Sequence, residues 1–329
     1  MLVGHLIICV ILVVIKVPSA VCTVHNEPTF KNVIIQAHNN SDQVIKIKIP
    51  RARSLAENSK IRYLQSIDNI VGPLTRLSKN SVANLPRLEY FAIKYGNLRE
   101  IKPGAFKNLR KLDILTVQSC RLKRIEKGVF KNLNISVLFL KGNNISTVAP
   151  EAFVNLTKLE TLDLSHNNIS RWNKRWLSNT PQIKRLNFVH NKLEKLPNGA
   201  FQNVISTRCV TILLLSNKIV NVGERLFRNG TIIGTLGLQN NKIRTFSEGV
   251  LEGVAQINVL DLSENQIQCF DGDWNKIFLA ENTYLSFNPL ICSCQKNITK
   301  WTGEKAVINP DKFPFVFMVG LTQNCTNNQ

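Results

Sequence analysis

The spacing of apolar residues carries the strongest signal in this chain. In Leu159-Glu-Thr-Leu-Asp-Leu-Ser-His-Asn-Asn-Ile169, apolar residues stand at positions 1, 4, 6 and 11, and an asparagine at position 9. The same frame recurs with position 9 held by Asn69, Gly96, Cys120, Asn143, Asn167, Asn191, Asn217, Asn241, Asn265 and Asn288, at intervals of 23 to 27 residues. A period of this length predicts stacked units, each burying an apolar face against the next. Within a unit, positions 4 and 6 point the same way on a short strand, as Leu162 and Leu164 do. Position 11, here Ile169, turns inward again. The slot asparagine is expected to hydrogen-bond backbone groups left open where the strand ends, so a column of them joins neighbouring units. Gly96 has no side chain for this task, and Cys120 offers a small thiol. Ten residues past the slot a second column holds Phe106, Phe130, Phe153, Leu177, Phe201, Phe227 and Leu251. A stacked apolar spine explains it better than an aromatic ligand cage, because every unit needs a neighbour to cover its apolar face.

Over roughly residues 44–325 these motifs resemble the extracellular leucine-rich-repeat family. The resemblance implies an α/β repeat solenoid, a leucine-rich-repeat horseshoe with a parallel concave β-sheet and irregular convex loops. The segments IKPGAF, IEKGVF and VAPEAF are most similar to insect leucine-rich-repeat immune proteins and Toll-receptor-type ectodomains. On this basis an N-terminal cap is expected over residues 21–60, about ten repeats over 61–290, and a cysteine-containing C-terminal cap over 291–329. Val44, Ile45, Ile47 and Ile49 alternate with Lys46 and Lys48, which predicts a capping strand. Asn288-Pro-Leu-Ile-Cys-Ser-Cys294, followed by Trp301 and Cys325, resembles the family's C-terminal cap, which usually holds four cysteines in two disulfides.

Residues 1–20, MLVGHLIICVILVVIKVPSA, form an apolar run ending in small residues and predict a secretory signal peptide cut near Ala20. Lys16 interrupts the run, which is short for a membrane span. The best later apolar stretch, Phe313 to Leu321, has nine residues and contains a proline, so a secreted, extracellular protein is expected. Eight glycosylation sequons, at Asn39, Asn134, Asn144, Asn155, Asn168, Asn229, Asn297 and Asn324, fit that route. Seven cysteines then remain. Cys120 and Cys209 are expected to be buried free thiols. Cys269 and Cys292 share position 13 of successive units, about 5 Å apart and within disulfide range. That suggests Cys269–Cys292 with Cys294–Cys325; the family-like alternative is Cys292–Cys325, with Cys294 paired elsewhere. For Cys22 a disulfide-linked dimer and an unpaired tail thiol both stay open.

Charge changes the picture. There are 42 Lys and Arg against 22 Asp and Glu, a net of +20, and removal of Lys16 with the leader leaves +19. Such a balance favours anionic partners, among them sulfated glycans and acidic surfaces, while no nucleic-acid partner is expected. The outward concave positions nevertheless hold five basic residues, Arg62, Lys94, Lys141, Lys184 and Arg185, against eight acidic ones. Those are Asp68, Glu89, Asp113, Glu160, Asp163, Asp261, Glu264 and Glu281. The basic excess must therefore lie on flanks, convex loops and caps. Its densest group is Lys107, Arg110, Lys111, Arg121, Lys123, Arg124, Lys127 and Lys131. Another is Arg171, Lys174 and Arg175, beside Trp172 and Trp176.

The N-terminal concave strands are expected to present Tyr63, Tyr90, Tyr95, Ile114, Val137 and Phe139, with Lys184 and Arg185 further along. Exposed aromatic residues on a rigid sheet suit a protein-binding patch. His166 and His190 occupy position 8 of adjacent units and are expected to be polar strand-edge residues that stack. Two ligands without a third make a poor metal site. No nucleophile elbow, zinc-protease motif, phosphate loop or dinucleotide fingerprint occurs, and neither an enzyme nor a cofactor is expected. The resemblance implies a recognition factor for a protein or microbial ligand in innate immunity. A matrix or cell-surface adhesion protein holding glycosaminoglycan on its basic flank, and a soluble receptor-like decoy, are the alternatives.

Overall fold

The computed structural model describes residues 6–9, 22–25, 28–38, 43–204, 209–308 and 315–318. Most of the expected leader, Asn39, Asn324, Cys325 and the side chain of Cys22 lie outside the described residues. One parallel sheet of eleven strands runs along the molecule. Its order follows the chain from Ser66–Ile67 through Tyr90–Lys94, Ile114–Gln118, Val137–Phe139, Thr161–Asp163 and Arg185–Asn187. It continues through Val210–Leu213, Thr231–Gly237, Val254–Asp261 and Asn282–Tyr284 to Phe315–Phe317. Register follows the repeat frame: Leu115 pairs with Leu138, Leu138 with Leu162, Leu162 with Leu186 and Leu186 with Ile212. These position 4 residues are fully buried.

The asparagine column forms a buried ladder. Asn167 Nδ2 donates to Leu140 O of the preceding unit and to Leu164 O of its own, both at 3.0 Å, while its Oδ1 accepts from Ile145 N at 3.0 Å. Asn191, Asn217, Asn241, Asn265 and Asn288 repeat this arrangement. Each side chain thus satisfies backbone groups that burial would otherwise leave unpaired, at roughly 1–3 kcal/mol per group. The residue before the slot turns the chain in the left-handed region in every unit from Tyr95 (φ 55°) to Phe287 (φ 58°), with glycine only at Gly142. The Phe column is a spine as expected: Phe106, Phe130 and Phe153 stack at 6.1–6.2 Å, and Phe201 on Phe227 at 5.2 Å. Trp172 and Trp176 fill the intervening unit, donating from Nε1 to Ala200 O and Val148 O. They belong to the core and not to the surface beside Arg171, Lys174 and Arg175.

A second asparagine line runs along the convex turns. Asn84, Asn108, Asn132, Asn155 and Asn179 all adopt positive φ. Asn108 Nδ2 donates to Asn84 Oδ1 at 2.7 Å, and Asn179 Nδ2 to Asn155 Oδ1 at 2.9 Å.

The expected capping strand is Val44–Ala52, but the inner layer of that cap is Phe30–His38. The latter buries Phe30, Val33, Ile35 and Ala37 and pairs antiparallel with both Val44–Ala52 and Asn69–Val71. At the other end the helix Cys292–Ile308 carries Trp301 against Trp274 and Phe278. Here the expected Cys269–Cys292 bridge is corrected. Cys269 bonds Cys294, with Cα atoms 5.5 Å apart, and Cys292 is disulfide-bonded separately. Position 13 equivalence fails because the chain leaves the repeat and enters a helix at Cys292, which carries Cys294 into the core instead. The alternative in which Cys294 pairs outside the local segment agrees with this. Cys120 is a buried free thiol as expected, its pKa raised by burial. Cys209 is free but exposed, a second correction. In its unit the inward alternation runs through Val210, Ile212 and Leu214, so position 1 faces outward.

Candidate binding surface

Parallel register converts matching positions into rows across the concave face. The position 3 row runs Tyr90, Ile114, Val137, Thr161, Arg185 and Thr211. It is Ser66 that pairs with Tyr90 at its start, not the expected Tyr63, because the 27 residues between Asn69 and Gly96 exceed one turn and shift the first unit by three. Tyr90, Ile114 and Val137 are therefore direct neighbours, about one strand spacing apart, and each is half-exposed. Position 5 adds Phe139, in register with Thr116 and Asp163. Ala92 and Thr116 are buried, although they lie on the outward row. Lys94 Nζ sits 5.5 Å from the Tyr90 ring centroid.

Two other expected members stand apart. Tyr63 lies before the first concave strand, 57% exposed, with Arg87 over its ring at 5.6 Å. Tyr95 occupies the left-handed turn after Tyr90–Lys94 and is 79% exposed. A groove of about 560 Å³ opens where the strands begin, lined by Tyr90 and Ile114 with Arg110, Lys111, Lys158 and Asn134 among others. Arg185 is exposed in the same position 3 row, whereas Lys184 is held by Glu160 at 2.6 Å. Glu89 likewise faces Lys111 at 3.7 Å, so part of the acidic excess on this face is locally neutralised.

The dense basic group is not one patch. Arg110 and Lys111 line the groove at the start of the concave strands. Arg121 lies beyond the strand ends, beside Tyr95 and Asn97, and Lys123 and Arg124 follow it. Lys107 is on a convex strand, and Lys127 pairs with Glu151 at 2.8 Å. One unit of about 24 residues circles the whole coil, so residues close in sequence land on three different sides.

His166 and His190 are neighbours with ring centroids 4.5 Å apart, but their planes are tilted by 35° and not stacked as expected. Partial burial lowers the His166 pKa, the neighbouring His190 and Lys141 lower it further, and Asp163 opposes them. No group of three potential metal ligands exists among the described residues. Of the sequons, Asn134, Asn144, Asn229 and Asn297 are exposed, while Asn155 and Asn168 are half-buried. No helix among the described residues is long and apolar enough to cross a membrane.

Sequence reasoning missed a second aromatic group, at the far end of the sheet. Tyr284 stacks on Phe317 at 4.7 Å, and Phe315 and Phe287 are exposed nearby. Tyr284 occupies position 5 of the last unit and was readable from the frame. Phe315 and Phe317 follow the cap helix, where the frame no longer applies.

Comparison with known proteins agrees with this geometry. The family described as leucine rich repeat matches residues 110–169, 158–208 and 207–267. Tsukushi of Xenopus tropicalis is 33% identical over 137 residues, covering 41% of this chain and 37% of that protein. Lumican of Gallus gallus is 29% identical over 136 residues, covering 40% and 38%. The matched stretch thus spans little more than a third of either relative. Among solved structures, Toll in the Drosophila Toll–Spatzle complex superimposes with a TM-score of 0.63 at 16% identity, over 78% of this chain and 34% of that one. That similarity concerns the fold.

Proposed function

We propose, on the premise that the chain is a leucine-rich-repeat protein related to secreted Tsukushi and lumican, that it is itself secreted and binds an extracellular protein or microbial ligand through the N-terminal half of its concave face. Proteins of this repeat class are generally non-enzymatic binding proteins, and this supports a non-enzymatic role for the chain. The observation that carries it is the row Tyr90, Ile114 and Val137, in register on three neighbouring strands with Phe139 beside it. Half-exposed apolar side chains on a fixed backbone lose little entropy on docking, and such clusters supply most interface energy. A role in innate immunity is supported by the resemblance of the N-terminal units to insect immune repeat proteins, and a decoy role would use the same face. The adhesion alternative loses its original support, since the basic cluster assigned to it wraps around the coil.

The test is capture from extracellular fluid with the full secreted chain, followed by affinity measurement on the captured protein. Tyr90→Ala combined with Ile114→Ala should weaken that binding at least tenfold, about 1.4 kcal/mol or more, while urea denaturation of the chain stays unchanged. Equal affinity for the wild type and the double variant would refute the assignment of this face.

A further inference from the structure

The edge where the concave strands end carries a line of charge that neither face shares. The residue after the asparagine slot is Lys192, Lys218 and Lys242 in three successive units. Their backbone amides donate to Ile169 O, Leu193 O and Ile219 O of the preceding units, each at 2.9 Å. This repeated bonding sets the three lysines in one line at roughly 5 Å per step along the solenoid. All three side chains are exposed. Elsewhere neighbouring units pair their charges, as Lys184 does with Glu160 and Arg225 with Glu252. The three lysines take part in no ion pair among the described residues.

Lys195 and Arg244 extend the same edge, against Glu194 on it and Glu264 on the adjoining turn row. Like charges at this spacing repel one another, and no acid occupies the position of the three lysines in these units. A ligand with anionic groups strung along one axis relieves that repulsion and releases counterions as it binds. The edge positions of these three units, the first, third and fourth after the slot, contain no aromatic residue. Single-stranded nucleic acids use aromatic platforms for their bases, so this line suits a polymer recognised by charge alone. An ammonium is a compact point charge on a flexible stem and accepts sulfate groups at variable positions.

We propose that this edge binds a linear sulfated glycan, lying along the solenoid axis over Lys192, Lys218 and Lys242. The site is separate from the concave cluster and does not depend on the protein-ligand reading. It also differs from the basic group first singled out by sequence, none of whose members it contains.

The experiment titrates the full secreted chain with size-defined heparin oligosaccharides across a salt series. The Lys192→Gln, Lys218→Gln, Lys242→Gln triple variant should bind at least tenfold more weakly near physiological salt. Its dependence of log affinity on log salt should flatten by about two to three ionic contacts. The Lys192→Arg, Lys218→Arg, Lys242→Arg triple variant should retain binding. A Lys107→Gln, Lys127→Gln, Lys131→Gln variant, which loses the same formal charge elsewhere, should stay within about twofold of wild type, as a charge-number effect alone would not allow. Equal losses in the two glutamine triples, or no loss in either, would overturn the proposal. Tighter binding of single-stranded DNA of matched charge than of the oligosaccharide would overturn the ligand class.

Discussion

The first units and the last seven stack in one sheet with different materials. Asn143, Asn167, Asn191, Asn217, Asn241, Asn265 and Asn288 hold the later slots and link each unit to the one before it. The earlier slots hold Gly96 and Cys120, whereas Asn69, expected in the first slot, stands three residues out of register, pairs with Gln36 of the cap and accepts from Lys94 N at 2.7 Å. Cys120 reaches Gln118 O and Ile93 O only at 3.4 and 3.7 Å. That end is instead secured by the antiparallel cap sheet and by the packing of Phe91, Phe106, Phe130 and Phe153. The same end carries the apolar concave cluster, whereas Thr211, Thr235 and Asp261 give the later strands a more polar concave face. The difference teaches that stacking depends on inward positions and the slot, which leaves the outward rows free to vary with the ligand.

Breaking the ladder is the largest way to test this contrast. Asn191→Ala removes three Nδ2 bonds, to Leu164, Phe188 and Val189 carbonyls, and the acceptor for Ile169 N. Leaving these buried groups unpaired should cost about 3 kcal/mol, whereas Cys120→Ala should cost about 1 kcal/mol or less. Urea denaturation of the full chain compares the two directly. Equal costs would mean that the two ends are held by the same device.

A smaller effect sharpens the comparison within the later units. The His166 pKa is lowered, first by burial and then by His190 and Lys141. The folded state therefore resists the proton that the unfolded chain accepts near pH 6.5. Stability from this group is complete above that value and falls as pH drops from there through the lowered folded pKa. His166→Asn keeps a residue tolerant of the left-handed turn (φ 55°) and should flatten thermal stability between about pH 7 and 5. An unchanged pH profile would remove the pair from the pH dependence.

How much of this was legible follows from the period. The slot column from Gly96 onward, the Phe spine and the concave rows from Tyr90 onward each depend on positions that recur every turn, so spacing alone located them, while Asn69 and Tyr63 were misplaced where the cap interrupts the period. The convex line of Asn84, Asn108, Asn132 and Asn155 was equally periodic, each residue followed by leucine, and went unread because turn asparagines look like ordinary loop residues. The Cys269–Cys294 bridge was not readable, since it depends on the helix that begins at Cys292. Nor was the dispersal of Lys107 to Lys131, because nearness in sequence means nearness in space only while the chain stays on one side of the coil. The Phe315–Phe317 strand joins the sheet about thirty residues after its neighbour, a pairing no local pattern encodes.

The central claim is that ligand and fold use different rows of the same sheet. Hydrogen–deuterium exchange on the full chain, with and without its captured protein partner, tests it most directly. Protection should rise over Tyr90–Lys94, Ile114–Gln118 and Val137–Phe139 and stay constant over Val254–Asp261. Protection confined to the later strands or to the convex turns would contradict the account.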